Sequence, residues 1–234
     1  MTLYNQDAFE VLKTLPDKQV DLIFTDPPYN ITAVGCDQEP IDLELMWSEF
    51  SRILKPDGVA VVFAAEPFDL DLRIASKGKC PYRYSWIWEK SNATGHLQAK
   101  KRPMRAHEML CVFYKKQPFY SPQMREGKPY KWESERSDSE HFDNYKDDPI
   151  YNTGTRYPRS VLRFKQERGL HPLQKPLDLA SYIINTYTKS GDLVVDSFMG
   201  CGTIPKAAKL LDRQFIGIEK DKIYFDTATE RLAN

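Results

Sequence analysis

A mostly apolar run over residues 20–25 leads directly into the tetrapeptide Asp26-Pro27-Pro28-Tyr29. The run predicts a buried strand, and the tetrapeptide predicts a turn at its end. Asp26 and Pro27 each precede a proline, which biases them toward extended backbone and makes the turn stiff. Prolines lack a backbone N–H but keep the carbonyl. The turn therefore offers a carboxylate and carbonyl acceptors beside the flat ring and hydroxyl of Tyr29.

An exocyclic amino group on a nucleobase is a ligand that fits this turn. Asp26 and a proline carbonyl can hold its two N–H groups while the base stacks on Tyr29. These contacts draw the nitrogen lone pair out of conjugation and direct it toward an electrophile. On these four residues alone, a rigid strand-to-loop turn without catalytic chemistry stays open as the alternative.

A second motif near the end of the chain combines a short strand, a Gly-x-Gly turn and a helix. The strand is predicted to end at Asp196, and Gly200 and Gly202 follow it. Glycines in such a turn let the backbone approach a ligand closely. Glu219 ends the next predicted strand, where its carboxylate can accept both hydroxyls of a ribose. The third glycine of a dinucleotide-binding motif is missing and Pro205 lies in this region, so an adenosyl ligand is favoured over a pyrophosphate.

The two motifs resemble those of the amino-directed DNA methyltransferases. Residues 26–29 match every position of that family's catalytic motif, (D/N/S)PP(Y/F). Residues 196–203 resemble its S-adenosylmethionine loop, D-P-F-x-G-x-G-T, with Ser197 where the family often has proline. Residues 171–176 resemble its H-P-x-x-K-P segment. A catalytic motif that precedes the cofactor loop is the order of the family's β class.

The resemblance implies an α/β fold with a Rossmann-like sheet of the S-adenosylmethionine-dependent methyltransferases, a permuted motif order and a small recognition insertion. The alternation of predicted strands and helices also indicates a mostly parallel α/β sheet. The chain would begin on the third strand of the usual methyltransferase sheet and end after the second. We expect residues 1–114 to form the catalytic half, residues 115–169 the target-recognition insertion and residues 170–234 the cofactor-binding half. A disordered loop is the alternative for the insertion.

Apolar periodicity predicts the elements around the motifs. Helices are expected over residues 8–15, 41–54, 204–211 and 222–232, with a further helix after Pro176. Strands are expected over residues 2–4, 59–63, 84–88, 109–114, 193–196 and 215–219.

The resemblance also implies roles for individual residues. Asp26, Pro27, Pro28 and Tyr29 form the catalytic set. Among the cofactor residues, Lys175 is a partner for the S-adenosylmethionine carboxylate, although a solvated surface lysine is the alternative. Asp196 is expected near the cofactor's amino group, Glu219 at its ribose and Asp7 near its adenine. The full cofactor-binding set is Asp7, Lys175, Asp196, Phe198, Gly200, Gly202, Thr203 and Glu219.

Two basic groups are candidates for holding DNA phosphates, with ordinary solvated faces as the alternative. Arginines, which dominate the second group, suit bidentate contacts to phosphate or guanine. The first group is Lys100, Lys101, Arg102 and Arg105, and the second is Arg156, Arg159, Arg163, Lys165 and Arg168.

The expected reaction is methyl transfer from S-adenosylmethionine to an amino nitrogen of double-stranded DNA, with the target base flipped out of the duplex. Aspartate in the catalytic motif resembles the enzymes that act on adenine N6, whereas serine is commoner for cytosine N4. Four alternatives stay open: cytosine N4 methylation, RNA methylation, protein glutamine methylation and a non-catalytic DNA-binding subunit.

Length, composition and charge restrict the class of protein and its expected location. Its 234 residues, 41% of them hydrophobic, suit one domain with a small insertion. A formal net charge of zero argues against a protein surface that is basic overall, but not against one local basic face. Without a signal peptide or a run of about 18 apolar residues, we expect a cytoplasmic protein with no membrane contact. No metal is expected, because no pair of cysteines has metal-ligand spacing, and a homodimer is compatible with the sequence. The cysteines are Cys36, Cys80, Cys111 and Cys201.

Overall fold

The computed structural model describes residues 1–30, 40–132 and 150–233. The chain divides into two compact units, residues 1–121 with 160–234, and residues 122–159. The second unit is shorter than the predicted insertion over residues 115–169, because the flanking residues belong to the first unit.

Strands and helices alternate through most of the first unit. In chain order the strands are β1 (Thr2–Tyr4), β2 (Val20–Thr25), β3 (Leu54–Ala64), β4 (Tyr82–Thr94), β5 (Arg105–Tyr114), β6 (Arg125–Glu126), β7 (Tyr130–Trp132), β8 (Ile150–Asn152), β9 (Thr155–Arg156), β10 (Val161–Phe164), β11 (Leu193–Asp196) and β12 (Gln214–Ile218). The helices are α1 (Ala8–Thr14), α2 (Leu43–Ile53), α3 (Phe68–Ala75), α4 (Leu177–Tyr187), α5 (Thr203–Leu210) and α6 (Lys222–Ala233).

Among the described residues, eight strands form one sheet in the order β1-β12-β11-β2-β3-β5-β4-β10. The five strands from β1 to β3 in this order run parallel to one another, and β5 runs antiparallel to both β3 and β4. The register places Val195 of β11 beside Ile23 of β2. Because parallel strands end at the same edge, the Asp26 turn and the Gly-x-Gly loop meet there, although they lie at opposite ends of the sequence.

The sheet separates two hydrophobic layers, as alternating strand residues require. Ile23 of β2 packs with residues of α1, α2 and α3 on one face. Leu22 and Phe24 pack with residues of α4, α5 and α6 on the other. The mostly apolar β2 is therefore covered on both faces, as is typical of parallel sheets in α/β proteins.

Most predicted elements are confirmed to within a few residues, whereas α3, β10 and the antiparallel direction of β5 were not predicted. Helix α2 begins after Asp42, whose side chain accepts the Leu45 N–H at 2.9 Å and caps the helix. Strand β3 begins at Leu54, directly after that helix. The Trp47 indole donates to the Leu72 carbonyl at 2.9 Å, which ties α2 to α3.

The second unit consists of short antiparallel pairs within its described residues. Strand β6 pairs with β9, and β7 pairs with β8. The Arg156 guanidinium lies 4.5 Å from the centre of the Tyr130 ring and donates to the Lys128 carbonyl at 2.5 Å. The described part of the predicted insertion thus contains short strands, while its acidic residues 133–148 lie outside the described residues.

Three of the four cysteines lie within the described residues. Cys80, Cys111 and Cys201 are buried free thiols, and Cys36 lies outside the described residues. In the part of the chain that the structure describes, every helix is too short or too polar to cross a membrane.

Candidate active site

A cavity of about 660 Å³ opens at the sheet edge where β2, β11 and β12 end. This volume is in the range of small-molecule and cofactor pockets. The cavity brings together both predicted motifs, and Gly202 is the predicted cofactor residue that does not line it. The predicted residues in its wall are Asp7, Asp26, Pro27, Pro28, Tyr29, Lys175, Asp196, Phe198, Gly200, Thr203 and Glu219.

Thr25, which the sequence analysis did not single out, links the two motifs. Its hydroxyl donates to Asp196 Oδ1 at 2.8 Å and accepts the Phe198 N–H at 3.2 Å. All three residues lie where β2 and β11 end side by side. The buried Thr25 hydroxyl therefore fixes the start of the Gly-x-Gly loop relative to the Asp26 turn.

The Gly-x-Gly loop has a backbone that side chains would not tolerate. Gly202 has φ +72°, and a Cβ there would lie 2.9 Å from Ala228 Cβ of α6. The Gly200 N–H donates to Glu219 Oε2 at 2.9 Å. The Asp221 N–H donates to Glu219 Oε1 at 2.8 Å. Both carboxylate oxygens are thus oriented by the backbone, and each keeps further acceptor capacity.

Asp7 has a structural role that the sequence analysis did not foresee. It is the N-cap of α1, and its Oδ1 accepts the Phe9 N–H at 2.8 Å. The same residue lines the cavity. An acid at this strand end is therefore accounted for by helix capping, and its expected contact with adenine stays a prediction.

Both carboxylate oxygens of Asp26 are engaged. Oδ1 accepts the Tyr29 hydroxyl at 2.6 Å, and Oδ2 accepts the Lys175 ammonium. The Lys175 side chain is only 9% exposed, so the alternative of a solvated surface lysine is wrong. Its expected cofactor contact stays a prediction, and the structure instead pairs it with Asp26.

Tyr29 is held by an aromatic partner from α3. Its ring stacks on Phe68 with centroids 5.0 Å apart and an interplanar angle of 27°. Together with the hydroxyl contact to Asp26, this stacking fixes the ring at the wall of the cavity.

Glu108 and Lys90 complete the charged cluster, and the sequence analysis missed both. Lys175 Nζ lies 3.4 Å from Glu108 Oε2, and Lys90 pairs with Glu108 Oε1. Glu108 is on β5 and Lys90 on β4, and both line the cavity. An acid just before the apolar residues of a strand was the available signal, but nothing in the sequence connects it with residue 26.

The cluster keeps its lysine charged. Burial opposes the charge of Lys175, but Asp26 and Glu108 outweigh burial and raise the pKa of its ammonium. Burial would raise the pKa of Glu108 too, but Lys175 and Lys90 hold that pKa below its ordinary value. The pKa of Asp26 is raised by burial, against the opposing charge of Lys175, and the charge of Glu108 raises it further.

The end of the cavity beside the Gly-x-Gly loop contains two titratable groups whose pKa values are shifted by burial. Burial raises the pKa of Asp196 to about 8, against the hydrogen bonds from Thr25 and the Phe198 amide. Burial, helped by the charge of Lys175, lowers the pKa of His171 to about 4. A cationic ligand would favour the ionised form of Asp196.

The candidate DNA-binding residues are divided between the two units. Arg105 lines the cavity and donates to the Glu66 carbonyl at 3.2 Å. Arg163 of β10 is exposed and pairs with Glu89 at 2.7 Å. Other candidates of the first unit are exposed, and two candidates belong to the second unit, where Arg156 packs on Tyr130. The exposed residues are Lys100, Lys101, Arg102, Lys165 and Arg168, and the second-unit residues are Arg156 and Arg159.

Known proteins resemble the chain over nearly its whole length. The type II methyltransferase M.BglII of Bacillus subtilis is 30% identical over an alignment of 256 positions, which spans 99% of this chain and 68% of the relative. The crystal structure of the M1.HpyAVI–SAM complex has a TM-score of 0.67 at 28% identity and covers 99% of this chain and 98% of that one. The PvuII cytosine-N4-specific DNA methyltransferase has a TM-score of 0.71 at 18% identity and covers 99% and 86% of the two chains, a likeness of fold alone.

A family model for N6/N4 DNA methylases matches residues 20–230. The match spans the Asp26 turn, the Gly-x-Gly loop and the charged cluster between them. The predicted fold, a Rossmann-like methyltransferase sheet with a permuted motif order, is confirmed by the strand order and by these solved structures. The chain therefore belongs to the N6/N4 family of DNA methyltransferases.

Proposed function

We propose that this DNA methyltransferase transfers a methyl group from S-adenosylmethionine to N6 of adenine in double-stranded DNA. The observation that carries the proposal is the half-buried Asp26 carboxylate, beside Tyr29, in the same cavity as the Glu219 carboxylate and the Gly-x-Gly loop. An acceptor for an amine and a cradle for an adenosyl group thus share one space.

The residues at the carboxyl ends of β11 and β12 fit S-adenosylmethionine. The Glu219 carboxylate, held by two backbone N–H groups, keeps acceptor capacity for the ribose hydroxyls. Asp196 provides a carboxyl group whose ionisation a cationic amino group would favour. When bound, S-adenosylmethionine supplies an electrophilic methyl group.

The chain's own residues then orient the target nitrogen. Asp26 and the Pro27 carbonyl accept the two N–H groups of the amine, and the Tyr29 ring stacks against the base. In a duplex the amino nitrogen is not reachable, so the base is flipped into the cavity. Hydrogen bonds to the Asp26 carboxylate stabilise the positive charge that develops on the nitrogen. The same carboxylate is available to accept the proton that the nitrogen subsequently loses.

Adenine is chosen over cytosine because position 26 is aspartate, as in the family members that act on adenine N6. Both bases present an exocyclic amine, so the cavity accommodates the same chemistry with either. By analogy with the type II methyltransferase M.BglII, we assign the protein to the modification half of a restriction–modification system.

We assign the reading of the DNA sequence to the second unit. Base contacts specify a sequence, whereas phosphate contacts mainly position the protein. The unit exposes aromatic side chains and an arginine that can make such contacts. These residues are Tyr130, Trp132, Tyr151, Tyr157 and Arg159.

Nucleoside analysis after methyl transfer tests the proposal. Purified protein is incubated with methyl-labelled S-adenosylmethionine and either duplex DNA, RNA or a protein extract, and the labelled products are digested and separated by mass. The expected product is N6-methyladenine from DNA. N4-methylcytosine would overturn the choice of base, and label only in RNA or protein would overturn the choice of substrate. Absence of label in every sample would overturn the catalytic assignment.

A further inference from the structure

Both carboxylate oxygens of Asp26 already accept a donor, so a target amine that approaches either oxygen along that direction competes with an existing partner. Tyr29 occupies one carboxylate oxygen at 2.6 Å, and Lys175 occupies the other. Displacement of Lys175 from Asp26 has a larger energetic consequence than displacement of Tyr29, because the Lys175 ammonium is charged and buried. A buried charge that loses its partner is strongly destabilised unless another acceptor is within reach.

Glu108 offers such an acceptor. Its Oε2 atom is buried and accepts no hydrogen bond from any residue that the structure describes. It lies 3.4 Å from Lys175 Nζ, close enough for an ion pair but without hydrogen-bond geometry. Buried polar atoms in native proteins are seldom left without a hydrogen bond, and an exception calls for a functional or structural explanation.

The other side of Glu108 is already fixed. Lys90 pairs with Oε1 and is itself buried, 8% of its side chain being exposed. Lys90 holds the carboxylate in place and ionised, and Oε2 remains directed toward the cavity that contains Lys175 and Asp26. Lys175 therefore lies between two carboxylates, those of Asp26 and Glu108, and of the two it donates a hydrogen bond only to Asp26.

We propose that Glu108 is a positioning residue for methyl transfer, which accepts the Lys175 ammonium when the amine of the target base displaces it from Asp26. No proton moves in this exchange: Lys175 stays protonated, one hydrogen bond to Asp26 is lost and one to Glu108 is gained. The base amine then takes the vacated Asp26 Oδ2. This inference rests on the proposed function, because it requires an amine that binds Asp26.

The exchange also adjusts the charge around the catalytic carboxylate. Four groups face Asp26 in the cluster: Tyr29, Lys175, Glu108 and Asp196. Lys175 favours the ionised form of Asp26, and Glu108 disfavours it. As Lys175 moves toward Glu108, it offsets the charge of that second carboxylate, which would otherwise disfavour the ionised form of Asp26.

Replacing Glu108 with glutamine removes the acceptor with little change of shape. Lys90 can only donate, so the amide oxygen of Glu108→Gln turns toward Lys90 and the amide NH₂ faces Lys175. The displaced lysine then has no partner. We expect kcat/KM for duplex DNA to fall about tenfold or more, with S-adenosylmethionine affinity unchanged. The acid limb of the pH–rate profile should move to lower pH, because the charge that raises the pKa of Asp26 is gone.

A matched control separates this effect from a general loss of stability. Asp69 is as buried as Glu108, with 13% of its side chain exposed against 14%, and pairs with Arg73 at 2.9 Å outside the cavity. Asp69→Asn should lower thermal stability but leave the acid limb in place. If Glu108→Gln does not fold, the double variant Lys90→Gln/Glu108→Gln removes both charges of the pair, and the same kinetic changes are expected.

A double-mutant cycle with Lys175→Met decides whether Glu108 acts through the lysine. Once Lys175 is absent, Glu108→Gln should have little further effect on kcat/KM. Full additivity of the two substitutions, or a Glu108→Gln enzyme with wild-type kcat/KM and pH profile, overturns the positioning role. A wild-type protein that transfers no methyl group to DNA overturns the proposed function instead, so the two failures are distinguishable.

Discussion

Replacing Asp26 with alanine removes the carboxylate that contacts both Tyr29 and Lys175. Loss of one preorganised contact to a developing charge typically lowers the rate by about 100- to 1000-fold, and we expect a loss of this size in methyl transfer. Affinity for S-adenosylmethionine should stay within about threefold of wild type, because Asp26 is assigned to the amine and not to the cofactor.

The same substitution also has a calculable effect on folding. Breaking a buried ion pair by removing one partner costs about 3–5 kcal/mol when the remaining charge is left alone. Lys175 keeps Glu108 at 3.4 Å, and burial already disfavours the ionised form of Asp26. We therefore expect a smaller loss, about 1–3 kcal/mol in the free energy of unfolding.

Single-turnover transfer at saturating DNA and cofactor separates the two effects, with calorimetry for cofactor binding and denaturant titration for stability. Asp21→Ala is the matched control. Asp21 lies on β2, the strand that ends just before Asp26, is equally exposed at 18%, and pairs with Lys55 at 2.6 Å outside the cavity. The Asp21→Ala variant should be less stable than the wild type but should keep the wild-type rate of methyl transfer per folded molecule. Transfer by folded Asp26→Ala within a few-fold of wild type would refute the catalytic assignment.

Three further predictions follow from the cofactor end and from the second unit. Glu219→Ala should weaken S-adenosylmethionine binding by about 1.5–3 kcal/mol, because two charged hydrogen bonds to the ribose are lost; unchanged affinity in calorimetry contradicts the ribose role. Asp196 has a pKa of about 8 in the free protein, and a cationic ligand releases its proton, so affinity should rise from about pH 6 to about pH 8 and then level off. A flat profile would show that Asp196 does not face the cationic group. Replacing residues 122–159 with a short linker should abolish sequence specificity and spare cofactor binding, since β10 and the sheet are retained. If that variant methylates the same recognition sequence, sequence specificity lies outside residues 122–159.

Contiguous motifs made the two halves of the site predictable. The Asp26 turn and the Gly200 loop each consist of neighbouring residues whose geometry follows from proline and glycine chemistry. Their meeting at one sheet edge followed from the expected parallel order of strands, which the structure has. The resemblance to a known family supplied the strand order, which periodicity alone does not contain.

Long-range pairing explains what was missed. Thr25, Lys90 and Glu108 come from three strands. Only the register of the sheet brings Lys90 and Glu108 to the cavity and Thr25 beside Asp196. The antiparallel direction of β5 cannot be read from apolar periodicity, because a strand shows the same alternation in either direction. Helix α3 has no side-chain cap and begins after Pro67, so it lacked the usual signal at its start.

Base-resolution mapping of modified DNA tests the central claim most directly. The wild-type chain and Asp26→Ala are expressed in a host that lacks DNA methylation, and modified bases are located across the genome. We expect N6-methyladenine at every copy of one short recognition sequence with the wild type, and unmodified DNA with Asp26→Ala at equal protein level. Unmodified DNA with a wild type that is folded and binds S-adenosylmethionine, or the same pattern from Asp26→Ala, would contradict this expectation.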